Sequence, residues 1–299
     1  MSKNQDSGLH KSVINWFPGH MKKAYVKIEE YLKMIDFVII VLDARAPFSS
    51  ANDYLIKVFA QKPKLYLLNK EDLGDPKSTK FWLNYYNKEE IRSIAINSKK
   101  SLKKELENQL VYLTETKRQK NLKKGIKNSI YKGMIVGIPN VGKSTIINQL
   151  IGKKRVETAN KPGVTRSVNW IKISKEYFIM DTPGILTPRF ENEEESIKLA
   201  LLGSIRQEIL PLDSLIKYGV DFLKKYYPNE LLNYLDEKVD LKYLESIEST
   251  DVIKVIANKF MPRLKDGVLN IDQAKLKFLN DFRNSQIAKL CLDKEDQYA

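Results

Sequence analysis

The sequence predicts an α/β fold, a mostly parallel sheet flanked by helices, followed by a small all-α region. Several short apolar runs, at residues 37–42, 65–68 and 134–136, lack polar alternation, as expected of strands buried on both faces. Helical stretches separate these runs, and parallel neighbours need such crossovers. Beyond residue 190 apolar residues recur at helical spacing, punctuated by Pro211, Pro228 and Pro262.

Taken in order, residues 1–13 are polar, and Asn15-Trp16-Phe17-Pro18-Gly19-His20-Met21 forms an aromatic turn. A helical pattern follows in Ala24, Ile28, Tyr31, Leu32 and Ile35. The strand at 37–42 ends in Asp43-Ala44-Arg45-Ala46-Pro47, the one at 65–68 in Asn69-Lys70-Glu71-Asp72, and a third at 91–96 in Asn97-Ser98-Lys99. Leu102, Leu106, Leu110 and Leu113 mark a helix over 101–116, and a basic linker over 117–132 leads to the central strand. A glycine-rich loop and a helix from Thr145 come next, then the turn Lys161-Pro162-Gly163-Val164-Thr165. A strand at 177–180 delivers Asp181-Thr182-Pro183-Gly184. In the last third, Ile197, Leu201 and Ile205, then Leu215, Val220 and Leu223, then Leu276, Leu279 and Phe282 form helical stripes that predict its core.

The loop reads Gly137-x-x-x-x-Gly142-Lys143-Ser144 between a strand and a helix. Glycines let successive N–H groups, from Asn140 and Val141 through Gly142 to Thr145, turn toward phosphate oxygens. The helix N-terminus adds partial positive charge. Lys143 reaches the β- and γ-phosphates and the Ser144 hydroxyl ligates Mg²⁺. A glycine turn that binds nothing is the other reading, and the strand before and helix after it weigh against that. Asp72 is placed to accept two hydrogen bonds from N1 and N2 of guanine, with Asn69 holding the loop. Asp181, at a neighbouring strand end, is where a Mg²⁺-supporting carboxylate belongs, and the Gly184 amide can contact a γ-phosphate. Thr165 is the threonine that would close over Mg²⁺, unless it is only a turn residue.

Composition narrows the partners. The chain carries 51 Lys and Arg against 37 Asp and Glu, a net +14. Residues 1–185 hold 34 basic and 17 acidic side chains, and the remainder 17 and 20, so the basic character belongs to the nucleotide-binding part. Blocks at 99–104, 117–127 and 153–155 suit a polyanion, nucleic acid above all, or a solvated lysine surface. One cysteine excludes an internal disulfide, and two histidines do not make a structural zinc site. No signal peptide or membrane-length apolar run is present, so a cytoplasmic protein without a membrane partner is expected.

These motifs resemble the guanine-nucleotide motifs of GTPases in a changed order, base recognition preceding the phosphate loop, Thr165 and Asp181. That order is similar to the circularly permuted GTPases. With the NWFPGHM opening, DARAP, INS, GIPNVGKST, PGVT and DTPGIL, the chain most resembles the ribosome biogenesis GTPase A family. The resemblance implies a circularly permuted GTPase domain over 14–190 and a helical C-terminal domain over 191–299, which in the family is implicated in RNA binding. It places Asn69, Lys70, Asp72, Asn97 and Ser98 at the base. It implies Lys143, Thr165 and Gly184 in catalysis, and Ser144, Thr165 and Asp181 on Mg²⁺. Ile185 stands where many small GTPases carry a water-orienting glutamine, so the hydrophobic-substituted class is implied, and His20 becomes a candidate to position the water or else a packing residue. Asn140 sits where related GTPases bind potassium, or it only shapes the loop. The implied protein is a monomer that hydrolyses GTP on the late large-subunit (50S) precursor, contacts rRNA through its basic domain, and is stimulated by the particle. A nucleotide-gated RNA scaffold with negligible hydrolysis and a signalling GTPase with a protein partner are the alternatives. The family's last helices usually hold glycines and basic residues. Here Arg283 and Lys289 remain but residues 284–288 have no glycine, which counts against an RNA contact there.

Overall fold

The computed structural model describes residues 25–26, 28–87, 91–97, 99, 101–151, 170–186, 192–205, 210–235 and 240–298. Among the described residues six strands form one sheet: β1 (Phe37–Asp43), β2 (Lys64–Asn69), β3 (Arg92–Ile96), β4 (Tyr131–Val136), β5 (Trp170–Lys172) and β6 (Tyr177–Asp181), in the order β3-β2-β1-β4-β6-β5. All neighbours pair parallel except β5 with β6. The three-residue edge strand β5 is too short to leave a periodic signal, and no strand was expected there.

β1 shows why the apolar runs are unbroken. Phe37, Ile39 and Val41 enter one core, and Val38, Ile40 and Leu42 enter the core on the other face. Every residue of β1 is buried, because both faces are covered. On the second face lie α1 (Asp53–Val58) and α2 (Pro76–Tyr86), which contribute Leu55, Trp82 and Tyr86. On the first face lie α3 (Lys103–Lys123) and α4 (Lys143–Ile151), with Leu106, Leu110, Ile146 and Leu150.

α3 runs seven residues into the stretch read as a basic linker. Its lysines, arginine and glutamines are good helix formers. Gln119 donates to Glu115 at 2.6 Å, and Arg118 pairs with Glu176 at 2.6 Å, so the solvent-facing turns hold without an apolar stripe. The phosphate-loop helix begins at Lys143 rather than Thr145.

The C-terminal helices are α5 (Glu193–Leu201), α6 (Leu212–Tyr226), α7 (Pro228–Tyr234), α8 (Leu241–Ser246), α9 (Ser249–Phe260) and α10 (Ile271–Arg283). Glu193, Glu194 and Glu195 occupy the first turn of α5, where carboxylates favour the helix dipole. Two stripe residues fall elsewhere than expected. Ile205 lies past the end of α5, which stops at a left-handed Gly203. Leu276 is 50% exposed, because α10 turns Ala274, Phe278, Leu279 and Phe282 inward instead.

The chain then returns to the sheet. Leu290 bridges to Gly74, the Leu292 N–H donates to the Arg45 carbonyl at 2.7 Å, and Trp82 Nε1 donates to the Asp293 carbonyl at 3.0 Å. The buried Asp293 carboxylate accepts from the Ser49 N–H at 2.8 Å, from Ser49 Oγ at 2.6 Å and from Lys198 at 3.2 Å. The apolar core of these helices is continuous with the first-face core of the sheet. These contacts join the C-terminal segment to the sheet by side chains and backbone as well as by the chain itself.

Candidate active site

β1, β2 and β4 are adjacent, so the loops leaving their carboxyl ends converge at one edge, where ligands of parallel sheets bind. The phosphate loop leaves β4 at Gly137. A Cβ there would come within 2.5 Å of the Val41 carbonyl oxygen on β1, so only glycine lets the loop start this close to the neighbouring strand.

Lys143 is buried, 7% exposed, and its amine donates to the carbonyls of Gly137 at 3.0 Å and Ile138 at 2.8 Å. The loop thus holds the cation on two of its own carbonyls. Burial pushes the Lys143 pKa down to about 8, against the opposing pull of Asp181. Burial raises Asp181, with Lys143 and the Thr182 N–H working the other way. Asp181 ends β6 opposite Ile135 of β4, and Thr182 Oγ1 ties that end to the Ile135 carbonyl at 2.8 Å. Ser144 and Thr145 expose their side chains at the start of α4.

The segment from Asn69 to Asp72 meets the phosphate loop directly. Asn69 Nδ2 donates to the Val141 carbonyl at 2.7 Å, between residues 72 apart in the sequence. Lys70 takes the left-handed conformation, φ 63°, and its Nζ donates to Asp43 Oδ2 at 2.8 Å. Asp72 lies in the following 3₁₀ turn with its carboxylate partly exposed and Lys99 Nζ 3.6 Å away. Asn97 accepts from the Lys99 N–H at 2.9 Å.

The Gly184 segment packs under the loop. A Cβ on Gly184 would meet Pro139 Cα at 2.7 Å, and the Ile185 N–H donates to the Gly137 carbonyl at 3.1 Å. Ile185 is buried in the second core, and its carbonyl accepts from Asn52 Nδ2 at 3.1 Å. Tyr25 donates to the Leu186 carbonyl at 2.5 Å. Asn140, also left-handed at φ 59°, donates its Nδ2 to the Gly203 carbonyl at 2.7 Å, a contact from the phosphate loop to the end of α5. Arg283 is occupied as well, donating to the carbonyls of Ala200 and Leu201, each at 2.9 Å.

Of the residues the sequence marks, Asn69, Lys70, Asp72, Asn97, Asn140 to Thr145, Asp181 and Gly184 gather around these strand ends. Ser98, Thr165 and His20 lie outside the described residues. Asp43 and Arg45 stand at a strand end that the motif pattern marks without assigning either residue a role. A charged pair closing a wholly apolar strand was the available signal.

Among the described residues no cluster of three or more His, Cys, Asp or Glu forms a metal site by itself. Ser144 and Asp181 offer a hydroxyl and a carboxylate oxygen, which fits Mg²⁺ held by few protein ligands and completed by phosphate and water. The buried cation and the loop amides fit a polyphosphate.

Comparison with known proteins agrees with this geometry. A family model described as 50S ribosome-binding GTPase matches residues 132–259, and one described as RsgA GTPase matches residues 21–191. The ribosome biogenesis GTPase A of Bacillus licheniformis is 38% identical over 288 residues, covering 95% of this chain and 99% of that protein. A probable ribosome biogenesis GTPase A of Mycoplasma genitalium is 35% identical over 277 residues, covering 93% of this chain and 95% of that protein. The structure of GNP-bound YlqF from T. maritima superposes with a TM-score of 0.60 at 26% identity, covering 91% of this chain and 98% of the other. A GDP-bound YlqF structure superposes with a TM-score of 0.62 at 25% identity, covering 90% and 99%.

Proposed function

The chain belongs to the ribosome biogenesis GTPase A family and is a GTP-hydrolysing ribosome assembly factor, and from that premise we propose that its particle is the late large-subunit precursor and that this particle stimulates hydrolysis. The observation that carries the nucleotide reading is the Asn69 to Val141 hydrogen bond, which joins a guanine-type motif to a phosphate loop that follows it in sequence. The basic first part of the chain supports an rRNA contact, since 34 of the 51 basic residues lie before residue 186. A ribosomal partner is consistent with a cytoplasmic monomer, and among the described residues no helix is long and apolar enough to cross a membrane.

In the proposed mechanism Asp72 selects guanine, Asn97 and Ser98 complete the base site, and the amides of residues 140–145 bind the phosphates. Lys143 offsets the charge that builds on the phosphate oxygens as water adds to the γ-phosphorus and the bond to the bridging oxygen breaks. Bound Mg²⁺ would supply further positive charge there, with Ser144, Asp181 and Thr165 as its protein ligands. Potassium would use the Asn140 amide oxygen, and the nitrogen already donates to Gly203. Ile185 is buried and has no hydrogen-bonding side chain, so the water must be held by another group. His20 is our candidate. It lies five residues before Tyr25, whose hydroxyl holds the Leu186 carbonyl two residues past Gly184.

Co-sedimentation with purified 50S and 30S particles, with GTP analogue or GDP bound, tests the partner. Preferential, triphosphate-dependent recovery with the large subunit is expected. Equal recovery with both subunits would oppose it.

A further inference from the structure

Lys70 adopts a backbone conformation that L-residues with a Cβ avoid, and the chain turns there into the segment presenting Asp72. Such a conformation persists only where its surroundings fix it. Its side chain is anchored on Asp43, fully buried at the end of β1 directly beside Asn69 of β2. One of its oxygens, Oδ2, accepts from Lys70 at 2.8 Å and from Arg45 Nη2 at 2.8 Å; the other accepts from Arg45 Nε at 2.9 Å and from the Arg45 N–H at 3.1 Å. The two cations hold this carboxyl well below the usual carboxylate range despite its burial.

Arg45 does not stop at Asp43. It is 1% exposed, and its Nη1 donates to the Arg283 carbonyl at the end of α10. The carbonyl of Arg45 accepts from the Leu292 N–H, and Ser285 Oγ donates to the Leu73 carbonyl, one residue past Asp72, at 2.8 Å. The loop that carries Asp72 is therefore held from two sides, by the last residue of α10 through Arg45 and Asp43 and by Ser285 just after it.

We propose that Asp43 and Arg45 are positioning residues that form a buried strut between the guanine-contacting loop and the C-terminal helices, so that seating a guanine base and ordering residues 283–292 are one event. The proposal rests on the reading of Asp72 as the guanine acceptor. A buried ion pair that merely stabilised the sheet would have no reason to share an oxygen with the lysine of the base motif, nor to direct its third guanidinium nitrogen to a helix end 238 residues away.

The first test compares GDP and IDP, which differ by the exocyclic amino group that Asp72 would bind. Wild-type protein is expected to prefer GDP about tenfold or more, the worth of one hydrogen bond to a charged group. Asp43→Asn should reduce that preference to less than about threefold. Glycine takes the left-handed conformation without a partner, so in a Lys70→Gly background the further change Asp43→Asn should alter GDP affinity less than about twofold. An undiminished GDP preference in Asp43→Asn, or full additivity of the two substitutions, overturns the proposal. Asp72→Asn run in parallel separates the two readings: if it leaves base preference unchanged the base-site assignment fails, whereas if it shifts preference and Asp43→Asn does not, only the strut fails. Because Asp43→Asn strands a buried arginine and can prevent folding, Arg45→Lys is the second variant, keeping a cation beside Asp43 while removing the donor to Arg283. In hydrogen exchange of the full chain, GDP should slow exchange over residues 283–292 in wild type and not in Arg45→Lys. No GDP effect in wild type, or the same effect in both proteins, overturns the proposal.

Discussion

Lys143→Met should make the nucleotide-free protein more stable while abolishing tight triphosphate binding. The folded state carries the Lys143 ammonium in a site that lowers its pKa from 10.5 to about 8. A depression of that size corresponds to about 3 kcal/mol of unfavourable burial at neutral pH. Methionine is of similar length and has no charge to desolvate. Its cost is the loss of the two hydrogen bonds to Gly137 and Ile138, about 1 kcal/mol each. The balance is a gain of about 1 kcal/mol, or about 2 to 3 °C in melting temperature for a chain of this size. The pH dependence gives an independent check. Below pH 8 both states are protonated at Lys143 and the burial cost is fully present. Between pH 8 and 10.5 the unfolded chain keeps the proton that the folded one releases, so wild-type stability from this group rises with pH. The variant has no such group, so its advantage should close and then reverse across that window. Differential scanning calorimetry of nucleotide-free protein from pH 7 to pH 10 measures both. A variant that melts below wild type at pH 7, or a difference flat in pH, would refute the reasoning.

Three further outcomes are expected. Asp72→Asn should lose GTP affinity and gain affinity for xanthosine triphosphate, about tenfold each way for one charged hydrogen bond exchanged, as read by competition binding. Hydrolysis should run faster in potassium than in sodium, and Asn140→Ala should erase that difference in a steady-state phosphate-release assay; equal rates in both salts would leave Asn140 with the Gly203 contact alone. His20→Ala should keep GTP binding and intrinsic turnover while losing about 10²- to 10⁴-fold of the particle-stimulated rate. Survival of that stimulation would make His20 structural.

Much of the candidate site was legible because its determinants are local. A phosphate loop is one strand, one turn and one helix start, and Gly137, Gly142 and Lys143 announce it within eight residues. The sheet was legible for a similar reason, since β1 is apolar on both faces and therefore cannot be an edge. Long-range polar chemistry was not legible. Asp43 and Arg45 read as an ordinary strand end, and nothing in the sequence says that Arg45 meets Arg283 or that Asp293 meets Ser49 and Lys198. Such pairs have no periodicity and depend on how the chain returns. β5 was missed because three residues cannot show alternation, and the last turns of α3 because exposed lysines satisfy a helix as well as a linker. Leu276 was misplaced because a stripe of three residues leaves the buried face of α10 undetermined by one position.

The most direct test is the steady-state GTP turnover of the full chain alone, with 30S particles and with 50S particles, at fixed potassium and magnesium. A particle-stimulated assembly GTPase should be slow alone, little changed by 30S and accelerated at least about 10²-fold by 50S, the scale of one positioned catalytic group. A rate unchanged by either particle, or raised equally by both, would contradict the account.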